Sequence, residues 1–113
     1  MNNVPLYYNE DKTKVGVLIS YGFGAGWSTW ADDRAVAYDA RIIEYFLAHK
    51  DNLDLEEAEA YFKTLGYDYV YCGGLPNCVL EWVPRGVGFR ITEYNGAESI
   101  ILQDNPDYWT VLY

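Results

Sequence analysis

Apolar and polar positions along this chain repeat with different periods in different stretches, and each period predicts an element. Lys14 to Ser20 (KVGVLIS) is a near-continuous apolar run rich in β-branched residues. It predicts a strand buried on both faces. The ten residues Met1 to Glu10 show no period and predict an irregular arm or a short edge strand. Asp32 to Val36 predicts a turn or a helix start. From Tyr38 to His49 the apolar positions Ile42, Ile43, Phe46 and Leu47 fall on one helical stripe. Asp39 is the N-cap candidate there, and His49 and Lys50 suit the negative end of the helix dipole. A second helix opens at Asp54, with Glu57 three residues later as in a capping box, and stops at Gly66. Leu55, Ala58, Phe62 and Leu65 form its inner face.

The last third changes to a period of two. Asp68 to Cys72 and Cys78 to Val83 predict strands, the second ended by Pro84. Phe89 to Tyr94 and Ala97 to Leu102 flank Asn95-Gly96, a strong hairpin signal. A final short strand is predicted at Thr110 to Tyr113. Strand, loop, two helices and then several strands predict one α+β domain: a small, mainly antiparallel sheet with two helices on one face.

Composition narrows the function classes. The chain has 113 residues, enough for a single domain, and half of them are hydrophobic. Its formal net charge is −9. Binding to phosphate backbones or to an anionic membrane surface draws on Lys and Arg, so neither nucleic acid nor membrane is the expected partner. A basic protein, a cation, or mimicry of nucleic acid by the acidic surface all suit the charge. The longest uncharged run, Val15 to Ala31, holds four glycines and is a poor membrane span. Met1 to Glu10 has no basic or apolar signal segment, so a cytoplasmic location is expected. Cys72 and Cys78 are then expected as reduced thiols. With His49 as the single histidine they do not make a zinc site, and no cofactor is expected.

Four constellations could carry chemistry. Gly22, Gly24 and Gly26 follow a strand, and such a loop can bend its N–H groups into an anion nest. Trp27 and Trp30 could then stack on a base, with Arg90 as a further ligand-binding residue. The loop lacks the Gly-Lys-Ser/Thr of a phosphate-binding loop and the spacing of a dinucleotide fingerprint. Alternatively, its glycines let aromatics fold back over the sheet. In the hairpin, a two-residue turn sets Glu93 opposite Glu98 on the face that carries Phe89, Ile91, Ile100 and Leu102. Like charges in that position need a cation, an arginine or a shared proton, unless the tip is open to water. An acidic run contains Glu56, Glu57 and Glu59, suited either to a basic partner or to the start of a helix. Twelve tyrosines and four tryptophans are many for this length. Tyr67, Tyr69 and Tyr71 would share one face of the predicted strand as a recognition surface. No catalytic set is evident, because His49 sits at a helix end and Ser28 and Thr29 have no base nearby in sequence.

The stretches Gly22 to Trp30 (GFGAGWSTW) and Trp82 to Ile100 (WVPRGVGFRITEYNGAESI) resemble a group of small accessory proteins encoded by tailed bacteriophages. Together they cover about a quarter of the chain. The resemblance implies an accessory protein made in an infected bacterium, a class that often binds and inhibits host or defence factors.

Two functions are therefore expected. The first is a non-enzymatic binding protein that modulates a host or anti-phage defence protein, using Tyr67, Tyr69, Tyr71, Glu56, Glu57 and Glu59. The alternative is an oligomeric binder or sponge for a small nucleotide signal, using Gly22, Gly24, Gly26, Trp27, Trp30 and Arg90. A carboxylate enzyme built on Glu93 and Glu98 ranks third.

Overall fold

The computed structural model describes residues 4–103 and 110–112. Its elements are β1 (Lys14–Ser20), α1 (Ala40–His49), α2 (Leu55–Thr64), β2 (Cys78–Pro84), β3 (Gly88–Tyr94), β4 (Ala97–Gln103) and β5 (Thr110–Val111). Three short 3-10 helices, Ser28–Trp30, Arg34–Ala37 and Cys72–Asn77, lie between them. The fold is α+β, and every strand pairing is antiparallel. The expected single sheet is two: β1 pairs with β2, and β3 stands between β4 and β5. Tyr113, the last residue of the predicted final strand, lies outside the described residues.

β1 shows why two sheets form. From Val15 through Ser20 it is buried without a break. Leu18 faces a core shared with Ile42, Ile43, Phe46, Ala58, Phe62 and Trp27, the helix side. Val15, Val17 and Ile19 face a second core with Val83, Phe89 and Leu112, the hairpin side. A strand apolar on both faces needs a layer on each, and burial of that area is the main stabilising term. The arm before β1 adds its own cover, with bridges Tyr8 to Val15 and Leu6 to Asp39.

The helices start where their caps predict. Asp39 accepts the Arg41 N–H at 2.9 Å, and Asp54 accepts the N–H groups of Glu56 and Glu57. Glu57 does not complete a capping box; its carboxylate instead lies 3.4 Å from the Tyr45 hydroxyl. Gly66, at φ +104, ends α2.

Asp68 to Cys72 is not a strand. Tyr67, Val70 and Cys72 are buried while Asp68, Tyr69 and Tyr71 are exposed, a spacing that no flat strand produces. Gly73 and Gly74 let the chain curl into the 3-10 helix Cys72–Asn77, pressed close to the glycine-rich loop. A Cβ at Gly74 would collide with the carbonyl of Gly26. The three tyrosines therefore do not share a face.

Candidate functional site

The glycine-rich loop and the hairpin tip meet, and a carboxylate joins them. Asn95 and Gly96 both have positive φ, at 51° and 90°, as a two-residue primed turn requires. The turn fixes the predicted register, with Glu93 opposite Glu98 and Phe89 opposite Leu102. Gly96 then runs against the loop, where a Cβ would come within 2.7 Å of the Ala25 carbonyl carbon. The Asn95 carbonyl accepts the Gly24 N–H at 2.5 Å, and the Gly96 carbonyl accepts the Ser20 hydroxyl at 2.8 Å.

Beneath this contact lies Glu98, 2% exposed. Its Oε1 accepts the Ser20 N–H at 3.0 Å. Its Oε2 accepts the N–H of Trp27 at 2.9 Å, the N–H of Thr29 at 3.1 Å and the Thr29 hydroxyl at 2.5 Å. The loop does turn N–H groups toward an anion, and the anion is a side chain of the same protein. No cation takes part in these bonds. Glu93 diverges from its partner: it is exposed, and its carboxylate accepts the Gly96 N–H at 2.7 Å. Two carboxylates side by side are thus tolerated because each is turned to a different set of donors.

The loop aromatics divide between inside and outside. Trp27 is fully buried, edge-on to Phe62 at 6.1 Å, and its ring N–H is donated to the Val36 carbonyl at 3.1 Å. It cannot stack on an external base, which corrects its expected ligand role. Trp30 is 38% exposed and tilted against Tyr71 at 5.5 Å. Phe23 and Tyr94, both more than two-thirds exposed, pack edge to face at 6.2 Å where loop and hairpin tips touch. Tyr21, also exposed, donates its hydroxyl to Glu81. Gly22 sits against the Asn77 side chain, Gly24 has positive φ in open space, and Gly26 lies under the Trp30 ring. The loop thus carries three exposed aromatics, Tyr21, Phe23 and Trp30, and sets Phe23 against Tyr94 of the braced hairpin tip and Trp30 against Tyr71.

No family model matches the chain, and neither a curated protein nor a solved structure matches it. The stretches Gly22 to Trp30 and Trp82 to Ile100 meet here, since Glu98 belongs to the second and Trp27 and Thr29 to the first.

The other expected residues lie elsewhere. Tyr67 is buried, and its hydroxyl donates to Asp39 at 2.7 Å. Burial, and then Asp39, push that hydroxyl's pKa far up. Burial also opposes ionisation of Asp39, but hydrogen bonds from Arg41 and Tyr67 outweigh it and hold the carboxyl below its usual value. Arg41 closes a two-pronged pair on Asp39, at 3.0 and 2.7 Å. Glu56, Glu57 and Glu59 are all exposed along α2, and Glu59 is within 3.5 Å of Lys63. Burial, with a smaller push from Glu59, raises the Cys72 thiol to about 11. Cys72 and Cys78 are both free and buried. Arg90 is exposed and, with Arg34, borders a 60 Å³ cavity formed with Ala37, Tyr38, Phe89 and Ile91, away from the glycine loop.

His49 stays at the end of α1, stacked on Tyr45 at 4.1 Å with Nδ1 2.8 Å from the Tyr45 carbonyl. Among the described residues no three His, Cys, Asp or Glu side chains gather as a metal site, and no helix is long and apolar enough to cross a membrane. Phe23, Tyr21 and Tyr94 were not singled out by sequence reasoning. The available signal was their position beside the turn residues Gly22, Gly24 and Asn95.

Proposed function

We propose that this chain is an accessory binding protein that modulates a host or anti-phage defence protein, and that it grips that partner with its braced aromatic end. The observation that carries the reading is Glu98. Its four donors tie the loop to the hairpin, so the outward aromatics sit on a support ordered before any partner arrives. Large aromatics held that way suit binding hot spots, because little conformational freedom is left to lose on binding. Tyr71 packs against Trp30 of the same loop. Tyr67 is buried, and Glu56, Glu57 and Glu59 serve to attract a basic partner over longer range. The bacteriophage resemblance makes a host or defence protein the partner to look for.

The experiment is affinity capture from bacterial lysate, followed by affinity measurement on the protein recovered. A basic protein is expected, with binding that weakens as salt rises. The double variant Phe23→Ala, Tyr94→Ala should weaken it at least about tenfold. Charge reversal of Glu56, Glu57 and Glu59 should mainly slow association. Unchanged affinity in both variants overturns the reading. A nucleotide retained in stoichiometric amount instead, and lost with Trp30→Ala, would favour the small-molecule alternative.

A further inference from the structure

The strand edges of the two sheets are protected unequally. β1's outer side meets the N-terminal arm, where the Gly16 N–H donates to the Tyr7 carbonyl at 2.7 Å. β2, whose outer edge pairs with nothing among the described residues, carries Glu81 and ends in Pro84. A charge and a proline are ordinary guards against stray strand pairing. β5 is only two residues long. β4 is the exception. Among the described residues it stands at the edge of its sheet, and from Ser99 to Gln103 it has neither a charge nor a proline. Ile101 is 41% exposed and Leu102 51%, although neighbours in a strand point to opposite faces. Phe89, directly opposite Leu102, is 2% exposed, so the cover over β3 stops short of β4.

The geometry points to a second copy of this chain as the occupant of the β4 edge, paired antiparallel about a two-fold axis at Ile101. Register fixes which backbone groups are on offer. Tyr94 and Ala97 flank the two-residue turn and form a hydrogen-bonded pair; alternation makes Thr92–Ser99 and Arg90–Ile101 hydrogen-bonded as well. The N–H and C=O groups of Ile100 and Leu102 therefore face outward. A two-fold at Ile101 sets Ile100 of one copy opposite Leu102 of the other, and these are the residues with groups to exchange. Ile101 meets its own copy. Centring one residue earlier would set Leu102 opposite Glu98, which is buried and committed to the loop.

The edge is also uncharged in a chain of net charge −9, so it offers a basic partner no complementarity and suits an identical apolar strand. Among the described residues each copy has one such edge, so the pairing closes as a dimer and joins two three-stranded sheets into one of six strands.

The test is sedimentation over a wide concentration range, together with amide hydrogen exchange on the intact chain. A monomer–dimer equilibrium is expected. The amides of Ile100 and Leu102 should slow as concentration rises, while those of Ser99 and Ile101 should be protected at every concentration. Leu102→Pro removes only an outward N–H, which an edge strand tolerates, and should weaken the dimer at least tenfold with the monomer's circular dichroism unchanged. Should that variant fail to fold, the exchange pattern of the unmodified protein decides alone. A monomer at all concentrations overturns the proposal, as does a dimer in which Ile100 and Leu102 exchange independently of concentration. A foreign peptide strand that protects those two amides when the protein itself stays monomeric also overturns it.

Discussion

Asp39 and Glu98 are both buried carboxylates that tie distant parts of the chain together, and they are satisfied in opposite ways. Asp39 has a cation, Arg41, two residues away, and the Tyr67 hydroxyl from beyond α2. Glu98 has three backbone N–H groups and a hydroxyl, all from the far end of the sequence. The first arrangement needs one short contact and one long one. The second exists only when loop, strand and hairpin tip are all in place. A carboxylate held by backbone donors therefore reports the order of a whole region, whereas an ion pair with a near neighbour reports mostly itself.

The largest expected effect is at Glu98. Glu98→Ala strips the acceptor from two buried N–H groups, those of Ser20 and Trp27, and from the part-buried N–H of Thr29, and a buried donor left unmet costs about 1–3 kcal/mol. A loss of about 4 kcal/mol in urea unfolding is expected, a large share of a small domain's stability. Glu98→Gln should recover only part of it, because one accepting oxygen becomes an amide NH2 that faces other donors. A loss below about 1 kcal/mol for the alanine variant would mean that the loop does not depend on this brace.

Next come two glycines with the same backbone demand and different surroundings. Gly96 and Gly66 both have positive φ, but a Cβ at Gly96 meets Ala25 whereas at Gly66 it meets nothing within 4 Å. Gly66→Ala should cost about 1 kcal/mol from backbone conformation alone. Gly96→Ala should cost about 3 kcal/mol, because the loop must also move away. Equal losses in thermal unfolding would show that hairpin and loop are not in close contact.

At Asp39 the effect is smaller and depends on pH. Tyr67→Phe removes one hydrogen bond to a charged acceptor and should cost about 2 kcal/mol near neutral pH. Asp39's pKa in the folded protein is below its ordinary value of about 3.9. Its ionised form therefore contributes stability that is fully present above that ordinary value and fades as pH falls through the folded-state value. The gap between the parent protein and Asp39→Asn should accordingly narrow below about pH 4. A gap that widens on acidification would reverse the assignment.

Local elements were legible in the sequence because local physics sets them. The Asp39 and Asp54 caps, the Gly66 stop and the Asn95-Gly96 turn depend on a few neighbouring residues, and the turn fixes Glu93 opposite Glu98 without tertiary information. What lay beyond reach was which face of each element would meet which other. The alternation of Tyr67, Tyr69 and Tyr71 has a strand's period, yet no strand pairs there, and Gly73-Gly74 take the chain into a curl against Gly26. The glycine-rich loop has the composition of an anion nest, and nothing local says that the anion is 71 residues away in the same chain. One sheet became two because β1 is apolar on both faces, a feature of the sequence whose consequence depends on what is available to cover it.

The smallest expected effect on stability is at the aromatic tip, and its smallness is what makes it informative. Phe23 is 73% exposed and Tyr94 72%, and their main mutual contact is one edge-to-face pair. Such a pair contributes about 0.5–1.5 kcal/mol at most, and less in open water. Phe23→Ala should therefore move the unfolding free energy by under about 1 kcal/mol, against about 4 for Glu98→Ala. Water is a poor resting place for so much apolar area, and folding gains little from leaving it there. If the variant unfolds as easily as the Glu98 variant, the ring is part of the brace and the binding role loses its support. If stability holds while partner capture falls, the two regions separate cleanly: Glu98 makes the end rigid, and Phe23 with Tyr94 uses that rigidity.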